Sequence, residues 1–255
     1  MENKIKSFFH DLLQRVLVGL PYLSETRWVS EKVLLFLRIW HYLSINKISG
    51  DYLEFGVFEG KSFKLSMRAA VRFYKKGLAS SPRFFAFDSF SGLPEPDTEK
   101  DHAAVVSKGY FNSGQEKFEK NIRSASRGWE VLVIPGFYET SLTPEVVEKH
   151  NLSKAAFVNI DCDIYPSALQ ALRFVTPFLQ NGTALFFDDW FYSGGNMELG
   201  EARACTEWLR ENPDLTLVDF GLGAIGGKVF IVNRTDSNES MFPGLSSRDS
   251  RIDSL

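Results

Sequence analysis

Short apolar runs alternate with longer helical stretches from Gly50 to Val232. The apolar runs are continuous, which is typical of parallel strands that helices cover on both faces of a sheet. This alternation predicts an α/β fold. Seven strands are predicted, at Tyr52–Phe55, Phe84–Phe87, Glu130–Ile134, Ala155–Ile160, Ala184–Phe187, Leu215–Phe220 and Lys228–Val232. Helices are predicted near 61–75, 113–125, 166–179 and 200–211.

The connection between the last two predicted strands differs from the others. Only Gly221–Gly227 joins them, which leaves no room for a crossover helix, so they should form an antiparallel hairpin at the sheet edge. A seven-stranded, mostly parallel sheet with an antiparallel last pair is the layout of the class I methyltransferase (Rossmann-like) fold. The predicted core covers residues 48–233.

Residues 1–47 are predicted to form a helical extension of this core. Apolar residues from Ile5 to Leu20 recur at steps of three and four, and a second helical pattern follows Ser30. We expect the extension to cover a substrate or to contact another subunit, so a homo-oligomer is predicted. A position on a membrane surface stays open for the first helix, although its polar face is not strongly basic. Residues 234–255 are rich in Ser and Asp and poor in apolar residues, which predicts a disordered tail.

Charge and composition exclude several classes of partner. The 29 Lys and Arg stand against 32 Asp and Glu, a formal charge of −3, which argues against a nucleic-acid partner bound by overall positive charge. No apolar run is long enough to predict a transmembrane segment, and the N-terminus does not resemble a signal peptide. Two cysteines cannot form a disulfide framework, so a cytoplasmic location is predicted.

Two predicted strands end in residues suited to a ligand that contains a nucleoside. After the first strand, Glu54, Gly56 and Gly60 form the acidic-x-G-x-x-x-G pattern of S-adenosylmethionine sites, which differs from the dinucleotide fingerprint. At the end of the second strand, Asp88 is placed to accept hydrogen bonds from both ribose hydroxyls. A structural interpretation stays open for each: a tight strand–helix turn at the glycines and a turn cap at Asp88.

Carboxylates end the fourth and fifth predicted strands, at Asp161-Cys162-Asp163 and at Asp188-Asp189. Parallel strands bring their carboxyl ends to one edge, so these four side chains should converge and repel each other unless a cation neutralises them. Hard oxygen ligands without a Cys or His cluster favour Mg²⁺. In the structural alternative, Asp163 caps a helix and Asp188 or Asp189 anchors a loop. Either Asp161 or Asp163 could be the first metal ligand.

Four blocks of the sequence together resemble the macrocin O-methyltransferase-like family. They are Gly50–Val57, Asp88–Pro94, Asp161–Ser167 and Asp188–Trp190, within a similarity that spans roughly residues 48–212. The resemblance implies an enzyme that depends on S-adenosylmethionine and Mg²⁺ and methylates a hydroxyl of a sugar or a glycosylated natural product. An antibiotic sugar, a surface polysaccharide and a glycolipid are the candidate acceptors.

The same resemblance implies roles for individual residues. Asp161 would take the proton of the acceptor, and Asp161, Asp188 and Asp189 would hold the metal. The segment from Gly92 to Gly114 would act as a lid. The residues implied at the cofactor are Glu54, Gly56, Phe58, Gly60, Ser62, Asp88, Ser89, Gly136, Phe137 and Asp161.

Other classes of function stay open. Asp161-Cys162-Asp163 also matches the D-x-D metal motif of nucleotide-sugar glycosyltransferases, although that scheme has no role for the glycine turn or for Asp188-Asp189. A phosphatase of the D-x-D-x-T type is weaker, because Tyr165 stands where Thr is needed. A third alternative is a non-catalytic assembly module on a methyltransferase fold, because apolar faces within residues 1–45 would suit an interface.

Overall fold

The computed structural model describes residues 24–77, 81–101, 107–224 and 226–235, with side chains from residue 29 onward. The first predicted helix, over residues 5–20, and nearly all of the predicted tail lie outside the described residues. The second predicted helix is present, and it begins at Ser24, earlier than the pattern after Ser30 predicts.

Helices and strands alternate along the described chain. In order they are α1 (Ser24–Ile45), β1 (Asp51–Phe55), α2 (Lys61–Ala70), β2 (Phe84–Asp88), α3 (Gln115–Ser126), β3 (Val131–Pro135), α4 (Tyr138–Ser141), α5 (Pro144–His150), β4 (Ala155–Ile160), α6 (Tyr165–Val175), β5 (Ala184–Phe187), α7 (Gly200–Glu211), β6 (Leu215–Leu222) and β7 (Lys228–Arg234). Over the described ranges, we find no helix with the length and apolar character that crossing a membrane requires.

All seven strands form one sheet in the order β3-β2-β1-β4-β5-β7-β6. β1 to β5 pair in parallel, and β7 pairs antiparallel with both β5 and β6. The class I methyltransferase layout predicted from the sequence is therefore confirmed. The predicted antiparallel hairpin lies at the sheet edge, with β7 on the inner side against β5 and β6 outermost. This order buries Val229 and Val232 of β7, whereas β6 exposes Val218 and Leu222.

Apolar side chains cover both faces of this sheet. Successive residues of β1 point to opposite faces, so that Leu53 and Phe55 pack in the cluster of α6 and α7, while Tyr52 packs in the cluster of α1, α2 and α3. Trp40 of α1 is fully buried, and its indole N–H donates to Ser66 Oγ at 3.1 Å. Burial of a side chain of this size contributes roughly 2–3 kcal/mol to the free energy of unfolding. Helix α1 therefore shares one apolar core with the sheet.

Some helix boundaries differ from those that periodicity predicts. Helix α2 ends at Ala70, because the next residues form tighter turns in which the amides of Arg72 and Phe73 bond to carbonyls three residues back. After α6, residues Thr176–Phe178 form a 3₁₀ turn that contains Pro177, which has no amide hydrogen to continue the helix. The short helices α4 and α5 were not predicted, since neither is long enough to produce a periodic pattern.

Candidate active site

A cavity of about 870 Å³ opens at the carboxyl ends of β1, β2, β4 and β5. This is the edge where open α/β sheets bind their ligands. The predicted site residues that line the cavity are Gly56, Phe58, Ser62, Asp88, Ser89, Phe137, Asp161, Asp188 and Asp189. Three predicted site residues do not line the cavity: Glu54, Gly60 and Gly136. Each of them has a structural role next to the cavity.

Gly56 stands where the turn after β1 meets the end of β4. Its φ is +85°, and a Cβ built on it would lie 1.8 Å from the backbone oxygen of Asp161. Its amide donates to the carbonyl of Phe87 at 2.9 Å. Only glycine fits this conformation and this contact, because it has no Cβ. The turn therefore brings bare backbone to the cavity wall beside Asp161.

Asp88 ties the turn after β1 to the end of β2. Its Oδ2 accepts hydrogen bonds from the amides of Val57 and Phe58, each at 2.8 Å, and its Oδ1 accepts from the amide of Phe90 at 2.7 Å. A carboxylate has about four acceptor positions, so one remains for a ligand. The turn-cap interpretation of Asp88 is thus present in the structure, and the residue also lines the cavity.

Glu54 lies beneath the cavity floor. Its side chain has no exposed surface, and it accepts hydrogen bonds from the hydroxyls of Tyr52 and Ser62. Burial raises the pKa of Glu54 to about 7, against the two hydrogen bonds and the charge of Lys32, which lower it. Ser62 lines the cavity itself, so Glu54 contacts the site through this hydroxyl.

Glu54 is expected to make the protein less stable as the pH rises. Its pKa is about 7 in the folded chain, above the ordinary 4.5, so the folded state binds the proton more tightly. This contribution to stability is complete below pH 4.5 and is lost as the pH rises through 7, a difference of about 3 kcal/mol. Thermal unfolding from pH 4.5 to 8 should therefore show a steeper fall in Tm for wild type than for Glu54→Gln.

The exposed residue Glu116 provides the control for this measurement. Glu116→Gln should keep the wild-type slope of Tm against pH. Parallel profiles for wild type and Glu54→Gln would contradict the prediction.

The glycines at 60 and 136 have structural surroundings. A Cβ on Gly60, whose φ is +78°, would lie 2.7 Å from Ile122 Cγ2 and 2.8 Å from Phe118 Cδ2, both on α3. Gly136 has a φ of +129°, and a Cβ there would lie 3.3 Å from Ser141 Cβ. The first glycine therefore allows α3 to pack against the start of α2, and the second allows the turn into α4.

Four aspartates, Asp161, Asp163, Asp188 and Asp189, form what we call the acid cluster, and all four line the cavity. Burial raises the pKa of Asp161 well above its ordinary value, and the nearby Asp188 raises it further. Burial and Asp161 together raise the pKa of Asp163 to about 8. The side chains converge as the strand ends predict, and their mutual repulsion favours protons or cations at this edge.

Lys32 enters the acid cluster from α1. Its Nζ lies 2.7 Å from Asp188 Oδ2 and 3.4 Å from Asp161 Oδ2, and its side chain is 1% exposed. Burial alone would lower the pKa of Lys32, but the two carboxylates outweigh burial and raise it. Lys32 was not predicted from the sequence as a site residue. Helical spacing could have indicated it, because Lys32 lies four residues before the buried Phe36 and therefore on the apolar face of α1.

Glu201 of α7 connects the two acidic turns. It is 1% exposed, and its Oε1 and Oε2 accept hydrogen bonds from the amides of Cys162 and Asp189 at 3.2 and 3.1 Å. Burial and the charge of Asp189 raise its pKa well above the ordinary value. Glu201 was not predicted from the sequence either, because acidic residues are common in the first turn of a helix, where they favour the helix dipole.

The predicted lid, Gly92–Gly114, is described except for residues 102–106. Its first part is tied down by Asp101, which accepts hydrogen bonds from the amides of Tyr165 and Asp97 at 2.6 and 2.9 Å. Its last part contacts the turn after β1, because Ser113 Oγ donates to the carbonyl of Phe58 at 2.8 Å. Leu93, Pro94 and Phe111 of this segment line the cavity.

A model of the macrocin O-methyltransferase family (TylF) matches residues 21–204. Among curated proteins, the chain is 25% identical over 180 residues to an 8-demethyl-8-(2,3-dimethoxy-alpha-L-rhamnosyl)-tetracenomycin-C 4'-O-methyltransferase from Streptomyces olivaceus. The matched region covers 68% of this chain and 62% of that relative, so the chain spans less than two thirds of its length.

Solved structures of O-methyltransferases share the fold. The O-methyltransferase NovP superposes with a TM-score of 0.64 at 18% identity, over 88% of this chain and 98% of that one. The calicheamicin methyltransferase CalS11 also superposes with a TM-score of 0.64, at 14% identity, over 86% of this chain and 85% of that one. At these identities the similarity concerns the fold alone.

Proposed function

Because the chain belongs to the macrocin O-methyltransferase family, we propose that it transfers a methyl group from S-adenosylmethionine to a hydroxyl of a sugar or a glycosylated natural product. One observation carries this proposal: a single cavity of about 870 Å³ is lined by the glycine turn, Asp88 and the acid cluster. Cavities that bind small molecules and cofactors usually measure about 300–1,000 Å³, so the volume suits this class of ligand.

The proposed cofactor end of the cavity contains the turn after β1, Asp88 and Phe137. The bare backbone at Gly56 permits close approach of the methionine part, and the remaining acceptor position of Asp88 suits a ribose hydroxyl. Phe137 is 40% exposed and lines the cavity, so its ring is available to an adenine. The acid cluster favours a sulfonium, which carries positive charge, at the adjacent position.

We propose that Asp161, Asp188 and Asp189 hold a Mg²⁺ ion. Their oxygens are the hard donors that this ion prefers, and Asp189 Oδ2 is buried and has no hydrogen-bond partner among the described residues. Among the described residues, no three His, Cys, Asp or Glu side chains are close enough together to hold one metal ion. Lys32 lies between Asp161 and Asp188. A bound Mg²⁺ would lower the pKa of a chelated hydroxyl and orient it.

In the proposed reaction the residues of the chain position the acceptor and take its proton. Transfer from a sulfonium is an in-line displacement, so alignment of the acceptor oxygen with the methyl carbon is most of the task. The carboxylate of Asp161, which lines the cavity, removes the hydroxyl proton. Leu93, Phe111 and Tyr192 line the cavity and limit access of water to the reacting atoms.

Calorimetry with S-adenosylhomocysteine tests the cofactor, and transfer of labelled methyl groups to a panel of rhamnosides and other glycosides tests the acceptor. We expect stoichiometric binding and a rise in Tm, with labelling of at least one glycoside that needs Mg²⁺. A chain that binds neither form of the cofactor would overturn the proposal. Binding of a UDP-sugar with Mn²⁺ instead would favour the glycosyltransferase alternative.

The predicted homo-oligomer and cytoplasmic location stay predictions. Light scattering of the purified chain measures the first. The exposed apolar residues Leu34 and Ile45 on α1, each 64% exposed, are the side chains that an interface on this helix would cover.

A further inference from the structure

The buried ammonium of Lys32 has a position that the proposed reaction does not explain. It bridges carboxylates from the ends of β4 and β5, at 3.4 Å from Asp161 and 2.7 Å from Asp188. These are two of the three side chains proposed to hold Mg²⁺. An ammonium at hydrogen-bond distance from both oxygens takes the place in which an ion would contact them.

Among the side chains that the structure describes on α1, burial differs before and after Lys32. Leu35, Phe36 and Ile39, which follow Lys32, are buried in the core, whereas Val29 and Ser30, which precede it, are exposed. Lys32 is thus the first buried side chain at the described start of the helix. Its four-carbon stem can withdraw from the carboxylates while the core residues keep their places.

The charge balance favours a stronger cation than one ammonium. The acid cluster holds four carboxyl groups, and Glu54 adds a fifth buried acid nearby, whereas Lys32 provides a single positive charge. A divalent ion supplies twice the charge of the ammonium at the same oxygens.

We propose that Lys32 and a divalent metal ion are alternative cations for the Asp161–Asp188 pair. The ammonium occupies the pair in the metal-free protein, and metal binding displaces it, which releases the start of α1 from the cavity wall. Val29, one turn before Lys32, lines the cavity, so this release enlarges the opening on the side of α1. The inference rests on the metal in the proposed function, and it adds that the chain carries its own competitor for that metal.

Titration with Mn²⁺, followed by the electron paramagnetic resonance signal of the free ion, tests this competition. We expect Lys32→Met to bind Mn²⁺ at least tenfold more tightly than wild type, because the competing ammonium is gone. Lys64→Met is the matched control, since Lys64 lines the same cavity from α2. It should bind Mn²⁺ as wild type does. Equal affinity in wild type and Lys32→Met would overturn the competition while leaving the metal role intact.

Failure of the competition and failure of the proposed methyltransferase function give different results. If no variant binds Mn²⁺, both the metal role and the competition are overturned, whereas binding of S-adenosylhomocysteine still tests the methyltransferase proposal. Lys32→Met leaves Asp161 and Asp188 without their cation, so its Tm should be lower than wild type in EDTA and should rise more on addition of Mn²⁺.

Hydrogen exchange of the wild-type protein gives a readout that needs no variant. Saturating Mg²⁺ should accelerate exchange of the α1 amides over residues 24–32 several-fold and leave residues 36–43 unchanged, because only the start of the helix is released. Exchange over residues 24–32 that does not change with Mg²⁺, under conditions in which Mn²⁺ binding is measured, would overturn the proposal.

Discussion

Replacement of Gly56 by alanine is expected to prevent the chain from folding. The new Cβ would lie 1.8 Å from the backbone oxygen of Asp161, and the φ of +85° is itself unfavourable for alanine. Both clashing backbones belong to the ends of the paired central strands β1 and β4, so neither can move away without loss of ladder hydrogen bonds. We expect a loss of more than about 4 kcal/mol, a large part of the stability of an ordinary domain.

Gly77→Ala separates steric clash from backbone strain. Gly77 has a similar φ of +75°, but no described residue lies within 4 Å of a Cβ built there. We therefore expect a cost of only about 1–2 kcal/mol and a folded protein. Soluble yield, far-ultraviolet circular dichroism and thermal unfolding compare the two variants. If Gly56→Ala folds with a Tm near that of Gly77→Ala, the contact between the new Cβ and the Asp161 backbone oxygen does not prevent folding, and the prediction is wrong.

Asp161→Asn is expected to lower the rate of methyl transfer by about 10²–10⁴-fold and to preserve binding of S-adenosylhomocysteine. Asparagine keeps the size of the side chain but cannot take the acceptor proton, and it is a weaker ligand for a metal ion. The measurement is kcat with labelled S-adenosylmethionine and the glycoside found by the acceptor panel. Calorimetry with S-adenosylhomocysteine on the same preparation reports on the cofactor.

Asp163→Asn is the matched control for this experiment. Asp163 lies two residues from Asp161, lines the same cavity and has a φ of +64°, a conformation that asparagine tolerates as well as aspartate. If Asp161 is the base, Asp163→Asn should lose much less activity. The opposite order would assign the proton transfer, and the first metal position, to Asp163.

The framework of the site could be predicted because each strand is a compact apolar signal. Ala155–Ile160 and Ala184–Phe187 have the bounds that their apolar runs predict, and both end at the acidic residues. In a parallel sheet, ends that are distant in sequence meet at one edge. The convergence of Asp161 with Asp188 therefore follows from local patterns plus one rule of topology.

The residues that surround those ends could not be predicted in this way. Lys32 and Asp161 are 129 positions apart, and nothing near either residue indicates the other. Glu201 reaches the amides of Cys162 and Asp189 only because α7 packs against the turns after β4 and β5. Glu54 resembled a cofactor ligand, yet its side chain is buried beneath Ser62. Such contacts depend on tertiary packing, which periodicity does not describe.

The inner place of β7 has a consequence for synthesis of the chain on the ribosome. β5 is a fully buried apolar strand, and its second neighbour is β7, which ends at Arg234. At about 5–20 residues per second, translation needs a few seconds to proceed from Phe187 to Arg234. Throughout that interval the nascent sheet ends in an unpaired apolar edge, which can pair with another chain. The last hairpin therefore covers the edge of β5 through which the growing chain could pair with another chain.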